Sequence, residues 1–113
     1  DHVEEVVPTE VMLFRYSALT FNGHRIHYDR DYARQVEGHA GLVVHGPLIA
    51  TMLIDMAQRV AVGTPPRSFE FRAASPIFDG ATFTLNAKQD GDTIALAAAT
   101  PQGRLAMQAT AVF

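Results

Sequence analysis

Residues 47–61 read PLIATMLIDMAQRVA, and this stretch decides the fold. Its apolar residues recur at the spacing that places them on one face of an α-helix. It begins with Pro47, and proline is favoured in the first turn of a helix because the N–H it lacks would have no partner there. We therefore predict one amphipathic helix of about four turns. Most of its circumference should be buried, because its polar side holds only Thr51, Asp55, Gln58 and Arg59.

The pattern changes after the breaker GTPP at residues 63–66. Apolar and polar residues then alternate in four segments, as in strands with one buried face. The pairs Asp79-Gly80, Asp90-Gly91 and Gln102-Gly103 separate these segments and tolerate the backbone dihedrals of tight hairpin turns. We predict an antiparallel meander whose apolar positions are Phe69, Phe71 and Ala73; Phe83, Leu85 and Ala87; Ile94, Leu96 and Ala98; and Leu105, Met107, Ala109, Ala111 and Phe113.

The residues before the central helix predict three shorter elements. VEEVV, residues 3–7, is typical of an edge strand, Thr9 is placed to cap a helix over residues 10–19, and residues 29–36 indicate another helical turn or two. An apolar helix wrapped by an antiparallel sheet of about five strands is the simplest packing of these parts. We predict an α+β fold in a single domain over residues 1–113.

Length and composition restrict the function. The chain has 113 residues, enough for one core but with little material for a private catalytic cleft, so we expect a site shared with a second subunit. Nine Lys+Arg against twelve Asp+Glu leave a net charge of −3, which argues against nucleic acid as a partner. The chain has no cysteine, which excludes disulfides, thiolate zinc ligands and cysteine nucleophiles.

The sequence gives no sign of a membrane or a secretory route. No apolar run approaches the roughly 18 residues of a membrane span, and residues 1–10 have neither the basic region nor the apolar stretch of a signal peptide. We expect no membrane partner and a cytoplasmic location.

Residues 21–29, FNGHRIHYD, place two histidines in a stretch without clear periodicity, and we expect an irregular loop. Histidine titrates near neutrality and can both take and give a proton during turnover, which makes His24 and His27 candidate acid–base groups. The alternative is a solvated loop with a capping Asn22 and a histidine packed into the core.

Residues 41–47, GLVVHGP, run directly into the central helix. The first N–H groups of a helix lack internal partners and can stabilise an oxygen that acquires negative charge. Gly46 would let a ligand approach them, or it merely permits the turn before Pro47.

Other chemistries find little support in the sequence. We predict no metal site, because His24, His27, His39 and His45 follow no recognised ligand spacing and the chain has no cysteine. There is no glycine-rich phosphate loop and no Gly-x-Ser-x-Gly nucleophile elbow.

Three stretches together resemble a known family: SALTFNGHRIHYDRDYA at 17–33, GLVVHGPLIATMLIDM at 41–56 and SFEFRAASPIFDGATFTL at 68–85. They are similar to the MaoC-like hydratases and dehydratases, which have the hot-dog fold. The similarity is strongest to the branch that contains the type 2 hydroxyacyl-thioester dehydratases and the mesaconyl-C4-CoA or itaconyl-CoA hydratases. This resemblance implies reversible hydration of a trans-2-enoyl thioester of CoA or acyl carrier protein, with no cofactor.

The resemblance also implies roles for single residues. His27 matches the catalytic histidine, and Gly46 matches the glycine whose N–H meets the thioester carbonyl. Asn22 stands where the wider family has an aspartate; since a carboxamide is no general base at neutral pH, Asn22 would hold the water and His27 would carry the proton transfers largely alone. His24 would support His27 or face solvent. We also predict contacts with the substrate from His24, Arg25, Val44, His45 and Arg72.

Two alternatives remain. A thioesterase of the same fold would need a carboxylate on or beside the central helix, where Asp55 is the only acid. The chain would otherwise be one subunit of a heteromer, since resembling proteins often carry two hot-dog units. We expect a homodimer or a heteromer with a second hot-dog chain, or further residues upstream of Asp1.

Overall fold

The computed structural model of the protein describes residues 2–113. In chain order its elements are β1 (His2–Val6), α1 (Glu10–Leu19), a 3-10 turn (Arg25–His27), α2 (Arg30–Gln35), α3 (Gly46–Val60), β2 (Ser68–Ala73), β3 (Phe83–Asp90), β4 (Thr93–Ala99) and β5 (Leu105–Val112).

The predicted elements before the breaker are confirmed. Thr9 caps α1, its hydroxyl accepting a hydrogen bond from the Met12 N–H at 3.1 Å. Asp29 caps α2, its carboxylate accepting from the Tyr32 N–H at 3.1 Å. Both contacts satisfy N–H groups that a helix start leaves without partners. Residues 21–29 are less irregular than expected, because they contain the 3-10 turn.

The five strands form one antiparallel sheet in the order β1-β3-β4-β5-β2. The meander is confirmed for β3, β4 and β5 but is wrong for β2, which pairs with β5 at the far edge, with Phe71 opposite Ala109. Asp79-Gly80 is therefore not a hairpin turn. The carboxylate of Asp79 accepts from the Leu42 N–H at 3.0 Å and from both terminal nitrogens of Arg30 at 3.1 and 2.6 Å. These contacts hold residues 74–82 as a crossing segment.

Helix α3 packs on one face of the sheet and forms the core with it. Leu53, at the centre of the helix, has no exposed surface. Burial of such a side chain contributes about 2 kcal/mol. The buried residues of α3 are Leu48, Ile49, Ala50, Leu53, Met56 and Ala57, which confirms the predicted face.

Three predicted core positions are wrong: Phe71 and Ala73 on β2, and Leu105 on β5. Phe71 is 53% exposed, because β2 is an edge strand and lies largely beyond the reach of α3. Leu105 is also exposed, since the register of β4 and β5 shifts where Ala98 faces Met107 but Ala99 faces Leu105. The extra residue of this bulge, Ala106, takes the buried place.

None of the helices in residues 2–113 combines the length and the apolar character that crossing a membrane would need.

Candidate active site

His27 lies at the end of the 3-10 turn with 7% of its surface exposed. Its Nδ1 is 2.6 Å from the backbone oxygen of Val43. A carbonyl oxygen only accepts hydrogen bonds, so Nδ1 carries the proton and the lone pair of the neutral ring is on Nε2. Burial lowers the pKa of His27, the bond to Val43 partly opposes this, and the nearby His24 lowers it further. His27 is therefore neutral at neutral pH, with a basic Nε2.

Residues 42–44 hold the Val43 carbonyl in place. The Val43 N–H donates to the oxygen of Ile26 at 2.9 Å, and the Val44 N–H donates to the oxygen of Ile77 at 2.8 Å. The segment thus runs between the 3-10 turn on one side and the crossing segment on the other. The segment continues directly into α3. The carbonyl that fixes the tautomer of His27 therefore lies three residues before the first residue of that helix.

The start of α3 opens onto a groove of about 320 Å³. Gly46 is the first residue of the helix, and a Cβ added there would meet no atom within 4 Å. His45 precedes it at the cap position but makes no capping hydrogen bond through its side chain, and Pro47 has no N–H. The N–H of Gly46 makes no hydrogen bond within residues 2–113 and stands at the positive end of the helix. The groove is lined mostly by apolar residues, among them Val44, Ile49, Pro76, Ile77 and Met107.

His45 joins the two parts of the site. Its ring stacks on that of His27 with centroids 3.7 Å apart and planes 18° apart, and its Nε2 lies 2.8 Å from the Ser17 hydroxyl. Burial, helped by His27, lowers the pKa of His45 to about 4, so this ring is neutral as well. The His45 side chain is only 1% exposed. Its predicted contact with substrate stays a prediction.

Asn22 and His24 lie in the loop that leads into the 3-10 turn. The Asn22 Oδ1 accepts from the His24 N–H at 3.1 Å, a local bond within the loop, and the 3-10 turn has no side-chain cap. The amide N–H groups of Asn22 make no hydrogen bond within residues 2–113. The ring of His24 is exposed and stands nearly perpendicular to that of His27, with centroids 5.7 Å apart. Asn22 lines a depression of about 360 Å³ with Phe14 and Phe21, separate from the groove at Gly46.

In residues 2–113 neither predicted arginine makes a hydrogen bond to the three neighbouring histidines, His24, His27 and His45, which we call the histidine cluster. Arg25 is bound to Asp29 at 2.9 Å and lies over the ring of Tyr32. Arg72 faces Gln108 on the side of the sheet opposite α3. Contacts of either with substrate stay a prediction. In residues 2–113 no group of three or more His, Asp or Glu residues is arranged to hold a metal ion.

Ser17 and Val43 were missed by the sequence analysis, although each fixes one histidine ring. Val43 acts through its backbone, which leaves no signal in the sequence. Ser17 does leave one, because it follows the buried Leu13 by one helical turn on α1. A serine in the buried stripe of a helix needs a partner for its hydroxyl.

Comparison with known proteins identifies the family. The family model for hydroxyacyl-thioester dehydratase type 2 matches residues 1–79, which include Asn22, Gly46 and the histidine cluster. The chain belongs to this family. The predicted MaoC-like relationship is thereby confirmed.

Two named relatives support this family assignment. The chain is 53% identical over 105 residues to the mesaconyl-C(4)-CoA hydratase of Chloroflexus aurantiacus, a match that covers 93% of this chain and 37% of that protein. It is 42% identical over 73 residues to the mitochondrial hydroxyacyl-thioester dehydratase type 2 of Schizosaccharomyces pombe, covering 63% of this chain and 24% of that one. The matches thus span 24% to 37% of the length of these relatives.

A solved structure confirms the hot-dog fold that the family resemblance implied. The (R)-hydratase from A. caviae, described as involved in PHA biosynthesis, superposes with a TM-score of 0.83. The match covers 98% of this chain and 90% of that one, at 19% sequence identity.

Proposed function

We propose that this chain is a hydratase unit that reversibly adds water to a trans-2-enoyl thioester and forms a 3-hydroxyacyl thioester. The observation that carries the proposal is the pairing of a neutral His27, whose Nε2 is left basic by the Val43 carbonyl, with an open helix start at Gly46 that continues the same segment. Family membership and the hydratase named among its relatives support the same reaction.

The helix start would activate the substrate. The thioester oxygen accepts a hydrogen bond from the Gly46 N–H, and the positive end of α3 stabilises the negative charge that forms on this oxygen when a nucleophile adds to the conjugated double bond. The apolar groove beside Gly46 suits the thioester arm better than it would suit a charged group. The β carbon thereby becomes electrophilic.

His27 would then move the proton. His27 Nε2 takes a proton from a water molecule, and the hydroxyl group forms a bond to the β carbon. That Asn22 holds this water through its amide N–H groups is carried over from the family resemblance. The resulting imidazolium returns the proton to the α carbon as the enolate collapses to the thioester, so water is added without a change in oxidation state. Dehydration follows the same steps in reverse. The exposed His24 would exchange protons with solvent near His27.

The relatives' names guide the remaining choices. Their CoA and acyl-thioester chemistry favours a CoA or acyl carrier protein thioester as the substrate. We propose that the site is completed by a second hot-dog unit, in a homodimer or a heteromer, since an exposed Phe71 marks an uncovered apolar strand edge. The cytoplasmic location stays a prediction.

A thioesterase is the weaker candidate. Asp55, the carboxylate such an enzyme would use, lies on the exposed side of α3 and is bound to Arg59 at 3.0 Å. It is thus engaged in an ion pair, more than two helical turns beyond Gly46.

The test uses the purified chain with a panel of trans-2-enoyl-CoAs that includes C4 and C5 dicarboxylic compounds. Loss of the enoyl-thioester absorbance without release of free thiol supports the proposal. Thiol release without prior hydration would favour the thioesterase. A chain that is inert alone, but active once a second hot-dog chain is added, would favour the heteromer. No loss of absorbance under either condition would contradict the proposal. If the Asn22→Asp variant hydrates the substrate faster than the wild type, an aspartate base has been lost from this position.

A further inference from the structure

His45 is a buried polar group to which the proposed reaction gives no direct part. Its ring lies between two others: it stacks on His27 at 3.7 Å and meets the ring of Tyr16 edge-on at 4.7 Å between centroids. Ser17 holds its Nε2 at 2.8 Å. The three aromatic rings and the hydroxyl thus form a continuous packed column from α1 to the 3-10 turn.

This arrangement costs stability. The Nδ1 of His45 is fully buried and has no hydrogen-bond partner among residues 2–113. An unsatisfied buried polar atom costs about 1–3 kcal/mol. An apolar pair in place of His45 and Ser17 would fill this space without that cost, so the histidine is better explained by an effect on its neighbour than by packing.

The neighbour that needs support is His27. One hydrogen bond, from Nδ1 to Val43, fixes one direction of the His27 ring but only weakly restricts the tilt of its plane. The stack with His45, with planes 18° apart, restricts this tilt and so the direction of the Nε2 lone pair. His45 is itself held by Ser17 on α1. This anchor is independent of the hydrogen bond from His27 to Val43, because α1 makes no hydrogen bond to the ring of His27. The titratable groups in ring contact with this pair are His24 and Tyr16.

We propose that His45, anchored by Ser17, is a positioning residue that holds the imidazole of His27 in the plane from which Nε2 reaches the reacting water. The inference rests on the proposed function for its consequence in turnover. Its structural part, the fixed ring and tautomer of His27, does not depend on any activity.

The first experiment therefore needs no substrate. Nitrogen-15 NMR of the histidine rings in the full chain gives the tautomer and the titration of His27 in the wild type, His45→Phe, His45→Ala and Ser17→Ala. We expect one tautomer, with the proton on Nδ1, in the wild type and in His45→Phe, which keeps a flat ring in the stack. In His45→Ala we expect mixed tautomers and a His27 midpoint that rises, because solvent enters the space. Ser17→Ala should lie between these.

Kinetics then measure the consequence. A displaced catalytic group costs about 10- to 100-fold in rate, so we expect His45→Ala to lower kcat by that amount with KM changed by less than about threefold, and His45→Phe to restore most of the loss. His39→Ala is the matched control, because His39 lies near Phe78, outside the histidine cluster.

The outcomes are separable. An unchanged tautomer and midpoint of His27 in folded His45→Ala and Ser17→Ala would overturn the positioning role, whatever the activity. If His45→Ala does not fold, the same result in Ser17→Ala alone would overturn it. If the NMR result is as expected but the wild type hydrates no enoyl thioester, the proposed function fails and the positioning of His27 stands.

Discussion

Replacing Gly46 with alanine should separate catalysis from stability, because the structure predicts opposite effects on the two. The added Cβ meets no atom within 4 Å, and the backbone of Gly46 is not in the left-handed region, so alanine fits without strain. Alanine is favoured over glycine in a helix by about 0.5–1 kcal/mol, and the first turn should show the lower value. For a domain of this size, about 0.5 kcal/mol raises Tm by about 2 °C.

The same methyl group would occupy the open space through which the thioester oxygen approaches the Gly46 N–H. Loss of one such donor costs about 100- to 1,000-fold in kcat, and we expect a fall of this size in the hydration of an enoyl-CoA, followed by absorbance. Thr51→Ala, an exposed change on the same helix, is the control and should keep full activity. Wild-type activity in a folded Gly46→Ala would refute the oxyanion role. A Tm lowered by several degrees would refute the conclusion that a Cβ at position 46 meets no other atom.

Three further changes test the core, the buried histidines and Asn22. Leu53→Ala should cost about 3 kcal/mol and lower Tm by about 12 °C, whereas the exposed Asp55→Ala should leave Tm nearly unchanged; equal effects would contradict the packing of α3. His27 and His45 have pKa values below the ordinary 6.5, so the unfolded state binds more protons below pH 6.5 and stability should fall there and stay level above it. Urea midpoints should show this fall, and a smaller one in His45→Phe; a midpoint that rises on acidification would be the contrary result. Asn22→Ala should lower kcat/KM about tenfold, the value of one lost hydrogen bond to the water; no change in the hydration assay would remove Asn22 from the site.

Much of the fold follows from local pattern. The helical spacing from Pro47 onward and the alternation in β3 and β4 are set by which side chains face the core, and both are readable in the sequence. The place of β2 was not readable in this way, since Asp79-Gly80 has the composition of a hairpin turn. Asp79 instead holds the crossing segment through a contact with Arg30, which lies 49 residues away in the chain.

The site shows the same limit. His27 and Gly46 could be selected from residue type, position and family resemblance. That His45 is buried and stacked on His27 depends on how α1 packs over the 3-10 turn, and no spacing in the sequence contains this. The tautomer of His27 depends on a backbone oxygen, which every residue has.

The central claim, that His27 is the proton-transfer group of an enoyl-thioester hydratase, is tested most directly by kcat/KM of His27→Ala and His27→Gln. The assay follows loss of enoyl-CoA absorbance above pH 6.5, where His27 of the wild type is neutral. We predict that kcat/KM falls by about 100- to 10,000-fold in both variants, while KM changes by less than about threefold. His39→Ala is the control. Activity within about threefold of wild type in a folded variant would contradict the account.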